Sequence, residues 1–90
     1  AVLTMVRSLI RELGPKNIRV NTIAPGLTMS EGVLAREGIQ DRKGAIAAGR
    51  SLARDQLPKD LVGPTAFFLS DHASFVTGQS LGVDGGGVIH

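Results

Sequence analysis

Cysteine, tryptophan and tyrosine are absent from this chain, and three phenylalanines are its only aromatic residues. Without cysteine there is no disulfide framework, no thiolate nucleophile and no Cys-based metal site. Without tyrosine there is no phenolic general acid within these residues. Charge of one sign is scarce too: ten Lys and Arg stand against eight Asp and Glu, a formal net charge of +2. The basic residues are scattered rather than striped, and no Trp or Tyr offers a stacking platform, so no nucleic-acid partner is expected. Long apolar runs are also missing, none approaching the roughly 20 residues that cross a bilayer. Arg7 and Arg11 interrupt the apolar opening stretch, no basic region precedes it and no small-residue cleavage site follows, so it does not read as a secretion signal. The expectation is a soluble cytoplasmic protein with no membrane partner.

What is present is a globular composition, 42% hydrophobic and 20% charged, with twelve Gly and four Pro among 90 residues. Such apolar content argues against disorder. The length falls below the commonest domain size of roughly 100–150 residues, so the chain is one small domain or a piece of a larger one.

Periodicity divides the chain into five parts. Val2, Val6, Leu9 and Leu13 form a helical stripe with Leu3 and Ile10 beside it, while Arg7, Ser8, Arg11 and Glu12 fall opposite. Gly14 is predicted to cap this helix in the left-handed conformation, and Pro15 forbids its continuation. No N-cap residue precedes Ala1, which predicts a helix begun further upstream. Ile18 to Ala24 is short, rich in β-branched residues and closed by Pro25-Gly26, the pattern of a strand running into a turn. Residues 27–57 are polar, Gly-spaced and weakly helical, the character of a functional segment, often a lid, or of a disordered one. Pro58 opens a second helix through about Ser70, with Leu61, Val62, Thr65, Ala66 and Leu69 on one face; Pro64 is expected to bend it or cost one backbone bond. Gln79 to Val83 reads as a final strand leading into Asp84-Gly85-Gly86-Gly87.

Helix, strand, lid, helix, strand implies an α/β fold with a right-handed crossover and parallel pairing. Two strands alone expose edges and faces, so further strands are expected outside these residues.

Most chemical motifs fail on spacing. Gly82-x-x-Gly85-Gly86-Gly87 lacks the following helix that a phosphate-binding loop requires, and reads as a tight turn. Ser70, Asp71, His72 and Ser74 are too close in sequence to form a nucleophilic relay, and fit a helix end followed by a polar turn. Two histidines without cysteine do not suggest a metal centre, and Glu31, Glu37, Asp41 and Asp55 read as surface carboxylates. The informative segment is Asn21-Thr-Ile-Ala-Pro25-Gly26-Leu27-Thr28-Met29-Ser30. At the carboxyl end of a strand in an open parallel sheet, the next loop borders the ligand crevice. Gly26 permits close backbone approach, and the hydroxyls of Thr28 and Ser30 can donate to carbonyl or phosphate oxygens. From these residues alone, an ordinary turn and a ligand turn both stand.

Three blocks together carry a family resemblance: Asn21-Thr-Ile-Ala-Pro-Gly26; Leu57-Pro-Lys-Asp-Leu-Val62 leading into Phe68-Leu-Ser-Asp71; and Phe75-Val-Thr-Gly-Gln79 through Val83-Asp-Gly-Gly86. In order and spacing the whole chain resembles the C-terminal third of a short-chain dehydrogenase/reductase. That resemblance implies that residues 1–90 are the C-terminal part of a single NAD(P)-binding Rossmann-type domain, a doubly wound parallel sheet, with 27–57 as its substrate lid region. It implies an oxidoreductase that passes hydride between NAD or NADP and a secondary alcohol or ketone. The family's Tyr-x-x-x-Lys opens the helix that this sequence continues, so the Lys is expected two residues before Ala1. No catalytic Tyr, Lys or Ser, and no glycine-rich loop, is then expected within the chain.

By the same resemblance, Pro25, Gly26, Leu27, Thr28 and Ser30 form the nicotinamide end of the cofactor site. The backbone at Thr28 clamps the carboxamide and Ser30 adds a hydroxyl contact, with the Thr28 hydroxyl as the alternative donor. The family more often carries Ile or Val at the first position and Thr at the second. Val33, Leu34, Ile39 and Ile46 are candidates to cover an apolar substrate. Arg36, Arg42, Lys43 and Arg50 face water or, alternatively, an anionic substrate. The first helix, and the second helix with the last strand, resemble the family's two subunit contacts, implying a homo-oligomer, tetramer or dimer, with Val88-Ile89-His90 near a neighbouring subunit. The alternative is a short product that acts only as an interaction or oligomerisation module. The isolated chain is expected to fold poorly and to lack dehydrogenase activity.

Overall fold

A computed structural model describes residues 1–87. Helix α1 spans Val2–Leu13 and passes directly into a 3-10 turn, Gly14–Lys16. Gly14 keeps right-handed helical angles there (φ −54°), and Asn17 takes the left-handed conformation at φ 59°. The expected glycine cap is therefore displaced by three residues. Pro15 is tolerated because it enters at the start of the 3-10 turn, where its fixed φ suits the backbone and no N–H is needed. Asn is among the few residues other than Gly that occupy the left-handed region at modest cost.

Strand β1, Thr22–Pro25, pairs in parallel with β2, Ser80–Val83, in the register Thr22 to Ser80 through Pro25 to Val83. Both are shorter than the sequence suggests. Residues 18–21 run alongside 76–79, but side chains interrupt the ladder. Val20 N donates to the Thr77 hydroxyl at 3.0 Å. The Asn21 carboxamide donates to Val76 O at 2.9 Å and accepts from Gln79 N at 3.0 Å. Pro25 has no N–H to give, and at this end of the strand the bond to β2 comes from Gly26 N instead.

The crossover carries the remaining elements. Residues 27–57 contain two helices, α2 at Glu31–Leu34 and α3 at Ile39–Ala48. A 3-10 turn, Pro58–Leu61, leads into α4, Val62–Leu69, and a further 3-10 turn covers Asp71–Ala73. Because the α-helix begins afresh at Val62, Pro64 lies in its first turn, where an N–H has no partner in the α pattern, and the expected disruption is absent. Arg19 closes the other end of α4, its Nη1 donating to Phe68 O at 2.6 Å.

Only Val6, Met29, Ile39 and Ala73 are buried apolar residues among those described. The radius of gyration is 15.6 Å, against about 12 Å for a compact domain of this length. Val62 and Leu69, on the face of α4 read as core-facing, are 65% and 79% exposed, and Phe75 is fully exposed. Thr65 and Ala66 on the same face are exposed as well, and only Leu61 is half-buried. The last three residues, Val88 to His90, lie outside the described part, and with them the expectation of a subunit contact there.

Candidate cofactor-facing site

Parallel pairing brings the carboxyl ends of β1 and β2 to the same edge, so the loops that leave them meet. Gly26 N donates to Val83 O at 2.9 Å, carrying the pairing one residue past β1. The chain then turns. The Thr28 hydroxyl donates back to Gly26 O at 3.0 Å, and Ser30 N donates to Thr28 O at 2.8 Å. Met29 N donates to Gln56 O at 2.7 Å, which anchors the turn to the loop that follows α3. Ser30 is the N-cap of α2, its Oγ accepting from Val33 N at 3.3 Å.

Pro25, Gly26, Leu27, Thr28 and Ser30 thus form one continuous edge, with Met29 buried behind it. Pro25 is exposed and the other four are half-buried. Their polar inventory suits a carboxamide, which offers both an N–H donor and a carbonyl acceptor. The Thr28 oxygen has given its proton to Gly26 and keeps lone pairs to accept with. The Ser30 oxygen accepts from the α2 backbone and keeps its proton to donate. Beside the edge lies a cavity of about 410 Å³, walled by Leu27, Ala45, Ile46 and Arg50.

The residues of 27–57 expected to cover or face a substrate divide differently in the structure. Ile39 is buried, Ile46 lines the cavity, Val33 is half-buried and Leu34 is exposed. Arg36 and Arg42 face solvent, whereas Lys43 sits 3.6 Å from the Asp55 carboxylate. Asp55 is accordingly a paired, half-buried carboxylate rather than a free surface one. Arg50 neither faces water nor waits for an anion: only 8% exposed, it donates from Nη2 to Leu27 O at 2.9 Å and from Nη1 to Arg54 O at 3.0 Å. Its local sequence could not reveal this, since the acceptors belong to a turn 23 residues earlier and a loop four residues on.

Gln56 also escaped the sequence reading. It is 5% exposed, and its Nε2 donates to Val83 O at 2.8 Å. A Cβ on Gly26 would lie 3.0 Å from Arg50 Nη2, from Gln56 Oε1 and from Asp84 Cβ. Glycine at this position is therefore fixed by what lies behind the turn, not by an unusual φ.

The edge is braced on its far side. Arg54 makes a two-pronged contact with Asp60, 2.9 Å at each oxygen, and Asp60 Oδ2 also accepts from Leu57 N at 2.8 Å. The hydrogen bond from Arg54, followed by that from Leu57, holds the Asp60 carboxyl well below the usual carboxylate range, and Asp60 in turn raises Arg54. At the end of β2, Gly85 and Gly86 take φ of 65° and 79°, and Gly86 N donates to Asp84 Oδ1 at 3.0 Å, closing a tight turn. The Ser70 hydroxyl donates to Phe67 O at 2.7 Å and so seals the end of α4.

A family model described as enoyl-(acyl carrier protein) reductase matches residues 1–87. The chain is 42% identical over 85 residues to a 3α-hydroxysteroid dehydrogenase of Mediterraneibacter gnavus, covering 94% of this chain and 33% of that protein. It is 38% identical over 80 residues to a 3-oxoacyl-[acyl-carrier-protein] reductase of Chlamydia trachomatis, covering 89% and 32%. Among solved structures, a 3-oxoacyl-[acyl-carrier protein] reductase from Brucella melitensis superposes with a TM-score of 0.84 at 30% identity, covering 94% of this chain and 31% of that one. A 4-hydroxyisoleucine dehydrogenase complexed with NADH and succinate gives 0.78 at 32% identity, covering 98% and 35%. The chain spans about a third of the length of the curated relatives it matches. With the parallel strand ends, the turn between them and this match over nearly its whole length, the chain belongs to the short-chain dehydrogenase/reductase family of oxidoreductases, whose fold is Rossmann-type.

Proposed function

We propose that this chain supplies the nicotinamide edge and the substrate lid of an NAD(P)-dependent dehydrogenase that moves hydride between the cofactor and a secondary alcohol or ketone. The observation that carries the reading is the turn from Pro25 to Ser30. It lies at the shared carboxyl end of two parallel strands, is hydrogen-bonded on its inner side and keeps two hydroxyl oxygens with unspent capacity.

In this reading the Thr28 main chain and hydroxyl accept from the carboxamide, and the Ser30 hydroxyl donates to its carbonyl or to a phosphate oxygen. The bound nicotinamide supplies the hydride-carrying carbon. This chain's part is to fix the ring so that one face meets the substrate, a positioning contribution. Ile46 and Leu27 line the cavity beside it and offer an apolar wall. The catalytic Tyr, Lys and Ser belong outside these residues, and the chain by itself is inactive. The exposed faces of α1 and α4 and the side chain of Phe75 fit cover by the rest of the domain and by subunits of a homo-oligomer.

The test uses the complete enzyme. Ser30→Ala should weaken NADH binding several-fold and Ser30→Thr should recover it; ADP-ribose, which lacks the nicotinamide but keeps both phosphates, stays bound as before if the hydroxyl meets the carboxamide and weakens in parallel if it meets a phosphate. Unchanged NADH affinity in Ser30→Ala would refute the assignment of the turn.

A further inference from the structure

Arg50 is the one charged side chain that is buried among the described residues. No carboxylate lies within ion-pair distance of it there. Both guanidinium ends are instead given to main-chain carbonyls, Leu27 O at 2.9 Å and Arg54 O at 3.0 Å. Taking a guanidinium out of water without a counter-charge is costly, so an apolar residue at this position would be easier to accommodate. Charge-assisted hydrogen bonds are also roughly twice as strong as neutral ones, and they fix the atoms they hold.

The surroundings are shaped to admit this side chain. A Cβ on Gly26 would come within 3.0 Å of its Nη2, one on Gly85 within 3.3 Å of its Cδ, and one on Gly87 within 3.5 Å of its Cγ. The segments following both strands are thus cut back to glycine around a side chain that belongs to neither. Arg50 follows α3 by two residues and reaches forward to the turn. It joins the lid helix to the edge against which the nicotinamide is proposed to rest.

We infer that Arg50 is a positioning residue for the nicotinamide: it sets the height of the Leu27 carbonyl, and through it the Thr28 main chain, and it couples that height to the seating of α3. This rests on the reading of the turn given above. A fixed turn presents its acceptors in one geometry, whereas a loosened one spends binding energy on ordering itself.

The experiment compares Arg50→Met, Arg50→Gln and Arg50→Lys in the complete enzyme. Affinities for NADH and for ADP-ribose are measured, together with kcat and KM for the alcohol. Arg50→Met should weaken NADH at least about ten-fold, the factor for losing one hydrogen bond from a charged donor. ADP-ribose affinity should stay within two-fold, and kcat should fall more than KM rises. Arg50→Lys, which keeps a charged donor, should recover part of both losses. If the Met variant does not fold, the Gln variant carries the same expectation, because its shorter side chain cannot reach both carbonyls.

NADH affinity and kcat within two-fold of the parent in every folded variant would overturn the inference. So would equal weakening of NADH and ADP-ribose, the mark of a merely structural residue. If Ser30→Ala loses NADH selectively while the Arg50 variants do not, the role of Arg50 falls and the turn assignment stands. If neither site responds, both fall.

Discussion

Asn21 offers the sharpest test of how the two strands are held. Its carboxamide spans the gap between the segments that precede β1 and β2, Nδ2 donating to Val76 O at 2.9 Å and Oδ1 accepting from Gln79 N at 3.0 Å. Each neutral bond is worth about 0.5–1.5 kcal/mol net, so Asn21→Ala should cost about 2 kcal/mol. For a protein of 150–250 residues that is a fall of about 4–8 °C in melting temperature. Asn21→Asp is the more telling change. The new carboxylate can still accept from Gln79 N, but its other oxygen faces the Val76 carbonyl with no proton between them. At neutral pH this variant should be no more stable than Asn21→Ala. The neutral acid, by contrast, can donate to Val76 O, so folding favours the protonated form and raises the pKa of the introduced group. A raised folded-state pKa gives stability that is present below the unfolded value near 3.9 and lost as pH rises through the folded one. The deficit relative to the parent should therefore shrink as pH falls towards about 4. Thermal unfolding of the complete enzyme at neutral and mildly acidic pH measures both. A variant as stable as the parent at neutral pH, or a deficit independent of pH, would refute the bridging role.

Three further outcomes are expected. Gly78→Ala should destabilise by about 1–2 kcal/mol, because φ of +73° strains any Cβ and that Cβ would lie 2.8 Å from Ile10 Cδ1. Adding Ile10→Val, which removes that methyl, should return the steric part in calorimetry but not the backbone part. Asp60 has its folded-state pKa depressed by Arg54 and Leu57, so its contribution is full above the ordinary carboxylate range and fades as pH falls through and below it. Arg54→Gln should flatten that acid limb in unfolding measured against pH. Gly26→Ala should displace Arg50 and Gln56 together, costing about 1–3 kcal/mol of stability. NADH titration should show weakened binding in the same variant.

The order of elements and the parallel pairing were legible in the sequence because periodicity and punctuation are local. The stripe of Val2, Val6, Leu9 and Leu13, the start at Pro58 and the β-branched run before Pro25-Gly26 each state their own structure. The turn after Pro25-Gly26 was legible as a turn, because Pro-Gly closes a β-branched run, but the residues left an ordinary turn and a ligand turn both open, and only the family resemblance favoured the second. What the sequence hid is set by distant partners. Gly14 loses the left-handed cap because Pro15 and Lys16 prolong the helix as a 3-10 turn and Asn17 takes that role. Residues 18–21 leave the ladder because the side chains of Asn21 and Thr77 replace backbone partners. Arg50, between α3 and a polar loop, has the sequence neighbours of a surface arginine. Its burial follows only from the return of β2 beside β1, which brings Gly85 and Gly87 against it.

The pairing of β1 with β2 also governs when the turn can exist at all. Residues brought together at its entrance are 58 positions apart. Closing a loop of that length is paid in chain entropy before any contact repays it, and such long-range pairings form late. Every group that holds the turn from behind (Val83 O, Gln56 and Arg50) follows it in the chain. As the chain is synthesised, Pro25 to Ser30 therefore precede all of their anchors, and the full set is complete only once Val83 has been made. A translation pause placed between Ala48 and Val83 would hold the chain with α2 and α3 synthesised and the turn from Pro25 to Ser30 still without its bond to Val83.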